Sequence, residues 1–207
     1  MADTGKKLAI YGGSFSPIHY GHINAVRAYL SATGADKILV IPAKKPPHKA
    51  LDGGASDADR INMCTLAFSE DEELSKRVEV SDFEISRDSV SYTIDTVEHF
   101  MSLGYSDLSI LIGTDMLLTF ESWCRFRELF SCVTVYYIDR YDGVKAQTEQ
   151  TAEEFRKKYG ARIFPLDAPV LEASSSDVRR LISEGASTDG IIPPSVREYI
   201  DKNGLYK

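Results

Sequence analysis

The first forty residues constrain the fold more than any other stretch of this chain. Leu8–Tyr11 is a short apolar run stopped by Gly12 and Gly13. Ile23, Val26 and Leu30 then recur three and four residues apart, the spacing of one helix face, and Gly34 ends the run. Ile38–Ile41 is a second apolar run, stopped by Pro42. Strand, loop, helix, strand reads as a βαβ unit with a right-handed crossover, and such a unit belongs to a parallel sheet.

The rest of the chain continues the alternation. Ser56 and Asp59 form a capping box ahead of a helix face made by Ile61, Cys64, Thr65 and Phe68. Val78–Ile85 alternates loosely and is read as a strand at the sheet margin. Ile94, Val97 and Met101 predict a helix closed by Gly104, and Leu108–Ile112 is the next buried strand. After Gly113 comes a helix-like stretch containing Trp123, then a strand at Val133, Val135 and Tyr137. Residues 147–159 carry Ala152, Phe155 and Tyr159 on one face of an outer helix, and Ala161–Phe164 is a short strand. Two small helices close the chain, one around Val178, Leu181 and Ile182, the other over Ser195–Asn203. The second has Ser195 and Glu198 as its capping box and Gly204 as its stop. The expectation is an α/β fold: a Rossmann-like, doubly wound, mostly parallel sheet with helices on both faces. It forms a single domain over 1–207, with small C-terminal helices from about residue 175. Such sheets bind ligands at the carboxyl ends of their strands, where the strand order reverses.

Composition limits the partners. A chain of 207 residues can bury roughly 70% of its unfolded surface, so it needs no disulfide scaffold. Its formal net charge of −7 argues against coating nucleic acid, but small anions feel only the local field. Three cysteines without a CxxC, no leader-like apolar run at the start and no apolar stretch of about 20 residues predict a cytoplasmic protein without membrane partners.

The residues with chemical potential are unevenly spread. Two of the four histidines, His19 and His22, lie in Gly12-Gly13-Ser14-Phe15-Ser16-Pro17-Ile18-His19-Tyr20-Gly21-His22, between the first strand and the first helix. Glycines there let the backbone approach a ligand, and a helix starting near Tyr20 adds its positive end. Histidines three apart can face the same point at the helix mouth. The combination suits nucleotide phosphates, although it is neither a GxxxxGK[ST] loop nor a GxGxxG fingerprint. A zinc pair would want a third ligand, and none lies near, so no metal site is assigned. Ser174-Ser175-Ser176-Asp177-Val178-Arg179 places hydroxyls and a guanidinium at the start of a small helix, which reads either as a plain cap or as a phosphate cradle. Residues 42–55, with three prolines, three lysines and a histidine, form a stiff basic loop.

These segments together resemble a known family. His19-Tyr20-Gly21-His22 is similar to the HxGH signature of a nucleotidyltransferase superfamily, with Ser16 where many relatives have Asp. Ser174–Arg179 resembles its C-terminal SSTxxR motif, with Ser176 in place of Thr. Pro42-Ala43-Lys44-Lys45-Pro46-Pro47-His48-Lys49, the following Arg60, Ser91-Tyr92-Thr93-Ile94-Asp95-Thr96, Gly113-Thr114-Asp115 and Trp123 narrow the likeness to the nicotinate mononucleotide adenylyltransferase branch. The closing helix through Tyr206 also matches, whereas the loop holding Arg140 lacks the Arg-Pro-Gly turn of many bacterial members.

The resemblance implies transfer of AMP from ATP to nicotinate mononucleotide, with Mg²⁺ accompanying ATP, giving deamido-NAD and pyrophosphate. It implies catalytic roles for His19, His22 and Arg179. It implies ATP contacts from Gly12, Gly13, Ser14, Phe15, His19, His22, Gly113, Asp115, Ser175, Ser176 and Arg179. Nicotinate mononucleotide would be held by Ser14, Lys45, His48, Lys49, Tyr92, Thr93 and Trp123. Nicotinamide mononucleotide or phosphopantetheine as the acceptor, and a nucleotide-binding regulatory domain, are the alternatives. A homo-oligomer is left open.

Overall fold

The computed structural model describes residues 7–47, 54–138, 145–169, 171 and 173–207. The strands are β1 (Lys7–Gly13), β2 (Lys37–Pro42), β3 (Val78–Val80), β4 (Asp107–Gly113), β5 (Thr134–Ile138) and β6 (Ile163–Leu166). All pair in parallel, in the order β3-β2-β1-β4-β5-β6. This is the Rossmann order, with its reversal between β1 and β4.

Alternation along the central strands feeds two cores. From β1, Ala9 and Tyr11 face one side and Leu8 and Ile10 the other. The first side is covered by α1 (Tyr20–Thr33), α2 (Asp57–Ser69), α3 (Glu72–Arg77), α8 (Ser175–Ser183) and α9 (Pro194–Asn203). The second carries α4 (Thr93–Ser102), α5 (Thr114–Leu118), α6 (Phe126–Cys132) and α7 (Lys145–Tyr159). Several ends are as the sequence predicts. Gly34 closes α1 and Gly204 closes α9, both left-handed, and Ser56 caps α2 in a reciprocal box with Asp59. Among the described residues, no helix is long and apolar enough to cross a membrane.

Several local expectations change: Thr65, placed on the packed face of α2, is exposed, and the last strand runs Ile163–Leu166 rather than Ala161–Phe164. β3 stops at Val80, because after Ser81 the chain turns to carry Glu84 inward rather than continuing to Ile85. On α4 the buried position is Phe100, and Met101 is exposed. The stretch around Trp123 is broken: a 3-10 turn covers Phe120–Ser122, Trp123 is extended, and α6 begins only after Arg125 takes a left-handed φ of 53°. Stacking of Trp123 on Phe120, with ring centroids 4.7 Å apart, and the grip of Arg125 on Glu98 and Glu128 hold this break. Ser195 and Glu198 form no capping box. Pro194 occupies the first helical position, where its fixed φ suits the helix and its missing N–H costs nothing, so α9 starts too early for Ser195 to cap it. The Ser195 N–H instead donates to Glu70 Oε1 at 2.9 Å.

Candidate active site

A cleft of about 260 Å³ opens at the carboxyl ends of β1 and β4, where the strand order reverses. Its floor is the turn after β1. Phe15 adopts a left-handed φ of 45°, and its ring folds back over Gly13, where a Cβ would lie 2.9 Å from the ring. Glycine is required there for that close approach. The same ring packs edge-on against Tyr11 and His22, at 5.5 and 5.0 Å.

His19 and His22 form the cap of α1. The Gly21 N–H donates to His19 Nδ1 at 3.1 Å, and the His19 N–H donates to His22 Nδ1 at 3.2 Å. This is a capping box built from two imidazoles, whose centroids are 3.8 Å apart. With each Nδ1 accepting from the backbone, a neutral ring carries its proton on Nε2, so both side chains are set as Nε2–H donors. The first turn of α1 contains no acidic residue to offset the positive helix end. An anion is the natural complement.

Two arginines brace the turn. Arg60 of α2, 1% exposed, donates to the Ser14 carbonyl at 2.8 Å and to Asp57 at 2.6 Å. Arg179 of α8 donates to the Ser16 carbonyl at 2.7 Å and to Ser176 Oγ at 3.1 Å. The Ser175 hydroxyl donates to the Pro17 carbonyl at 2.9 Å, and the Ser16 and Tyr206 hydroxyls are 3.0 Å apart. Burial pushes the Tyr206 hydroxyl up to about 12, so it stays a neutral partner. Ser174 caps α8 and is itself bonded by Asp177, whose carboxyl is held below the usual range by the Ser174 hydroxyl and then by its backbone N–H.

The rest of the cleft is mostly uncharged: Tyr92 and Thr93 at the start of α4, Pro46 and Pro47, and Met116, Trp123 and Cys124 line it. Asp115 stands at the first turn of α5, just beyond Gly113, on the same cleft.

The structure thus gathers Gly12, Gly13, Ser14, Phe15, His19, His22, Tyr92, Thr93, Gly113, Asp115, Trp123, Ser175 and Ser176 around one cleft. Arg179 is joined to it through Ser16 and Ser176. Lys45 does not line it, and its Nζ pairs with Asp88 at 2.7 Å. His48, Lys49 and Arg140 lie outside the described residues. Sequence reasoning missed Glu84, a buried carboxyl on the cleft wall, because it lay in a stretch read as a marginal strand. It also missed that Arg60 and Arg179 grip carbonyls of the same turn, which no spacing signals.

Comparison with known proteins places this geometry. Residues 10–181 match the family described as cytidylyltransferase-like. A Caldicellulosiruptor bescii protein named "Probable nicotinate-nucleotide adenylyltransferase" is 33% identical over 202 residues, 97% of this chain and 99% of that one. A Neisseria gonorrhoeae protein of the same name is 36% identical over 208 residues, 98% and 99% of the two. The solved structure of "Plasmodium falciparum nicotinic acid mononucleotide adenylyltransferase complexed with NaAD" matches with a TM-score of 0.78 at 23% identity over 97% of each chain, which bears on the fold. From the extent of these similarities, the chain belongs to the nicotinate-nucleotide adenylyltransferase family, within the cytidylyltransferase-like nucleotidyltransferases.

Proposed function

We propose that the protein transfers the adenylyl group of ATP to nicotinate mononucleotide, releasing pyrophosphate and forming deamido-NAD. The observation that carries this reading is a single cleft joining two unlike ends: the paired-histidine helix mouth with the serines of α8, and a wall made of Tyr92, Thr93 and Trp123. The first end suits a triphosphate, the second a planar ring. The names of the relatives support the same acceptor.

The 5′-phosphate of the acceptor is already an anion and needs no general base. It attacks the α-phosphorus in line, and the protein's part is to position both substrates and offset charge on the transferring group and the leaving pyrophosphate. His19 and His22 donate from Nε2 to phosphate oxygens. Ser175, Ser176 and Arg179 hold the departing phosphates, and Arg60 keeps the Ser14 turn in shape beneath them. Asp115 and Gly113 border the ATP side, and Trp123 stacks on the pyridine ring. The donor set suits Mg²⁺ that arrives on ATP phosphates and keeps its waters. Among the described lining residues only Glu84 and Asp115 are carboxylates, and Glu84 accepts from Thr96. When bound, the ion neutralises phosphate charge.

The test is pyrophosphate release from Mg-ATP with nicotinate mononucleotide, nicotinamide mononucleotide or phosphopantetheine supplied separately. A preference of about tenfold or more in kcat/KM for the acid form is expected. Equal use of the amide would make the enzyme dual-specific, and silence with both pyridine nucleotides would end the reading.

A further inference from the structure

Glu84 is, among the described residues, the one buried carboxylate, and it lies on the wall of the cleft. The transfer chemistry proposed above does not use it, yet its surroundings are organised around it. Thr96 of α4 donates its hydroxyl to Glu84 Oε1 at 2.8 Å. Burial raises the Glu84 pKa, and the hydroxyls of Thr96 and then Ser91 act against that rise, as does the Arg87 charge, while Asp95 adds to it. Ser91 in turn accepts the N–H groups of Lys44 and Lys45, at 3.1 and 3.4 Å, and returns its own N–H to the Lys45 carbonyl at 3.0 Å.

A hydroxyl has one proton to give and two lone pairs. Ser91 spends its lone pairs on the 44–45 backbone, and it lines the same cleft as Glu84, whose pKa its hydroxyl lowers. A chain of neighbours thus runs from α4 through Glu84 and Ser91 to the β2–α2 loop, bonded between Thr96 and Glu84 and between Ser91 and Lys44 and Lys45. Each end of that chain borders the cleft: Tyr92 and Thr93 at one, Pro46 and Pro47 at the other.

We propose that Glu84 is a positioning residue for the acceptor nucleotide, holding the Tyr92–Thr93 wall and the Pro46–Pro47 wall in register. This rests on the reading that the aromatic end of the cleft takes that substrate. Glu84 acts through its neighbours and touches no reacting atom. The residues assigned above to ATP are not ones that Glu84 bonds to.

The test is Glu84→Gln, which keeps the shape but replaces one acceptor oxygen with an NH₂ donor. KM for nicotinate mononucleotide should rise about tenfold or more while KM for ATP stays within about twofold, a split that a loosened core would not give. Ser91→Ala, which leaves the buried carboxyl in place, should reproduce the split. In the ligand-free protein, hydrogen exchange should quicken at Lys44, Lys45 and Ser91 in both variants and remain unchanged in β1 and β4. Both KM values rising together, an unchanged KM for the acceptor, or exchange quickening throughout the sheet would each overturn the proposal. If the wild-type enzyme uses no pyridine nucleotide, the functional reading fails, and the exchange pattern still decides whether Glu84 ties the two walls.

Discussion

The two-histidine cap makes a separable prediction, because the two nitrogens of His22 have different tasks. Nδ1 accepts the His19 N–H at 3.2 Å, and Nε2 is the donor assigned to phosphate. Asparagine Oδ1 lies as many bonds from the backbone as histidine Nδ1, and glutamine Nε2 as many as histidine Nε2. His22→Asn therefore keeps an acceptor for the cap and loses the Nε2 donor, whereas His22→Gln, whose Oε1 can reach back to the N-cap N–H as in an ordinary capping box, keeps both an acceptor and a donor. His22 is 7% exposed, so an orphaned His19 N–H is poorly solvated and costs about 1–2 kcal/mol. For a chain of this size that is a fall in Tm of roughly 2–8 °C. Loss of a charge-stabilising donor in the transition state costs about 3 kcal/mol, a factor of about 100 in turnover. Expected, then, is an Asn variant close to wild-type stability with turnover down about 100-fold or more. The Gln variant should hold its stability and retain more activity than the Asn variant, and His22→Ala should suffer both losses. Pyrophosphate release and urea unfolding measured on all three supply the two axes. An Asn variant with near-normal turnover would remove Nε2 from the mechanism. An Asn variant as unstable as the Ala variant would show that the cap is not what the ring contributes.

Two further outcomes follow from the same turn and from α8. Gly13→Ala sets a Cβ 2.9 Å from a Phe15 ring that Tyr11 and His22 already hem in. Stability should fall by about 1–3 kcal/mol and ATP affinity by about tenfold or more, read by unfolding and calorimetric titration, and unchanged affinity would refute the close-approach argument. Asp177 has its folded pKa depressed by the Ser174 hydroxyl and N–H, so it adds stability above the ordinary carboxylate range, and that stability is lost as pH falls through the folded value. Asp177→Asn should flatten part of the acid-side loss in urea midpoint, and identical slopes in the two proteins would count against the cap.

What was legible in the sequence was whatever periodicity and local stop signals encode. Leu8–Tyr11 and Ile38–Ile41 announced two strands, Gly34 a helix end and Ser56 a helix start, because each acts within a few residues of itself. The histidine pair and the serine run were visible as motifs, and both stand at helix starts as expected. What was hidden depends on partners distant in sequence. The break before α6 is set by Arg125 reaching Glu98 on another helix, and no glycine marks its left-handed backbone. Glu84 turns inward to accept from Thr96, twelve residues on. The early start of α9 reflects a proline that outcompetes the serine beside it.

The bracing of the β1 turn has a consequence for how the protein is made. Ser16 and Pro17 are held by Arg179, Ser175 and Tyr206, which lie 163, 158 and 190 residues away in sequence. At about 5–20 residues per second, translation leaves on the order of ten to thirty seconds between the turn's emergence and that of its clasp. A nascent chain can pair β1 with β2 and lay down α1 while the turn between them is still unclasped. Nucleotide in the cell cannot steady this domain while it is being built, since ligand stabilises only a form that binds it. The early βαβ unit has to hold through its own packing until the last helices arrive.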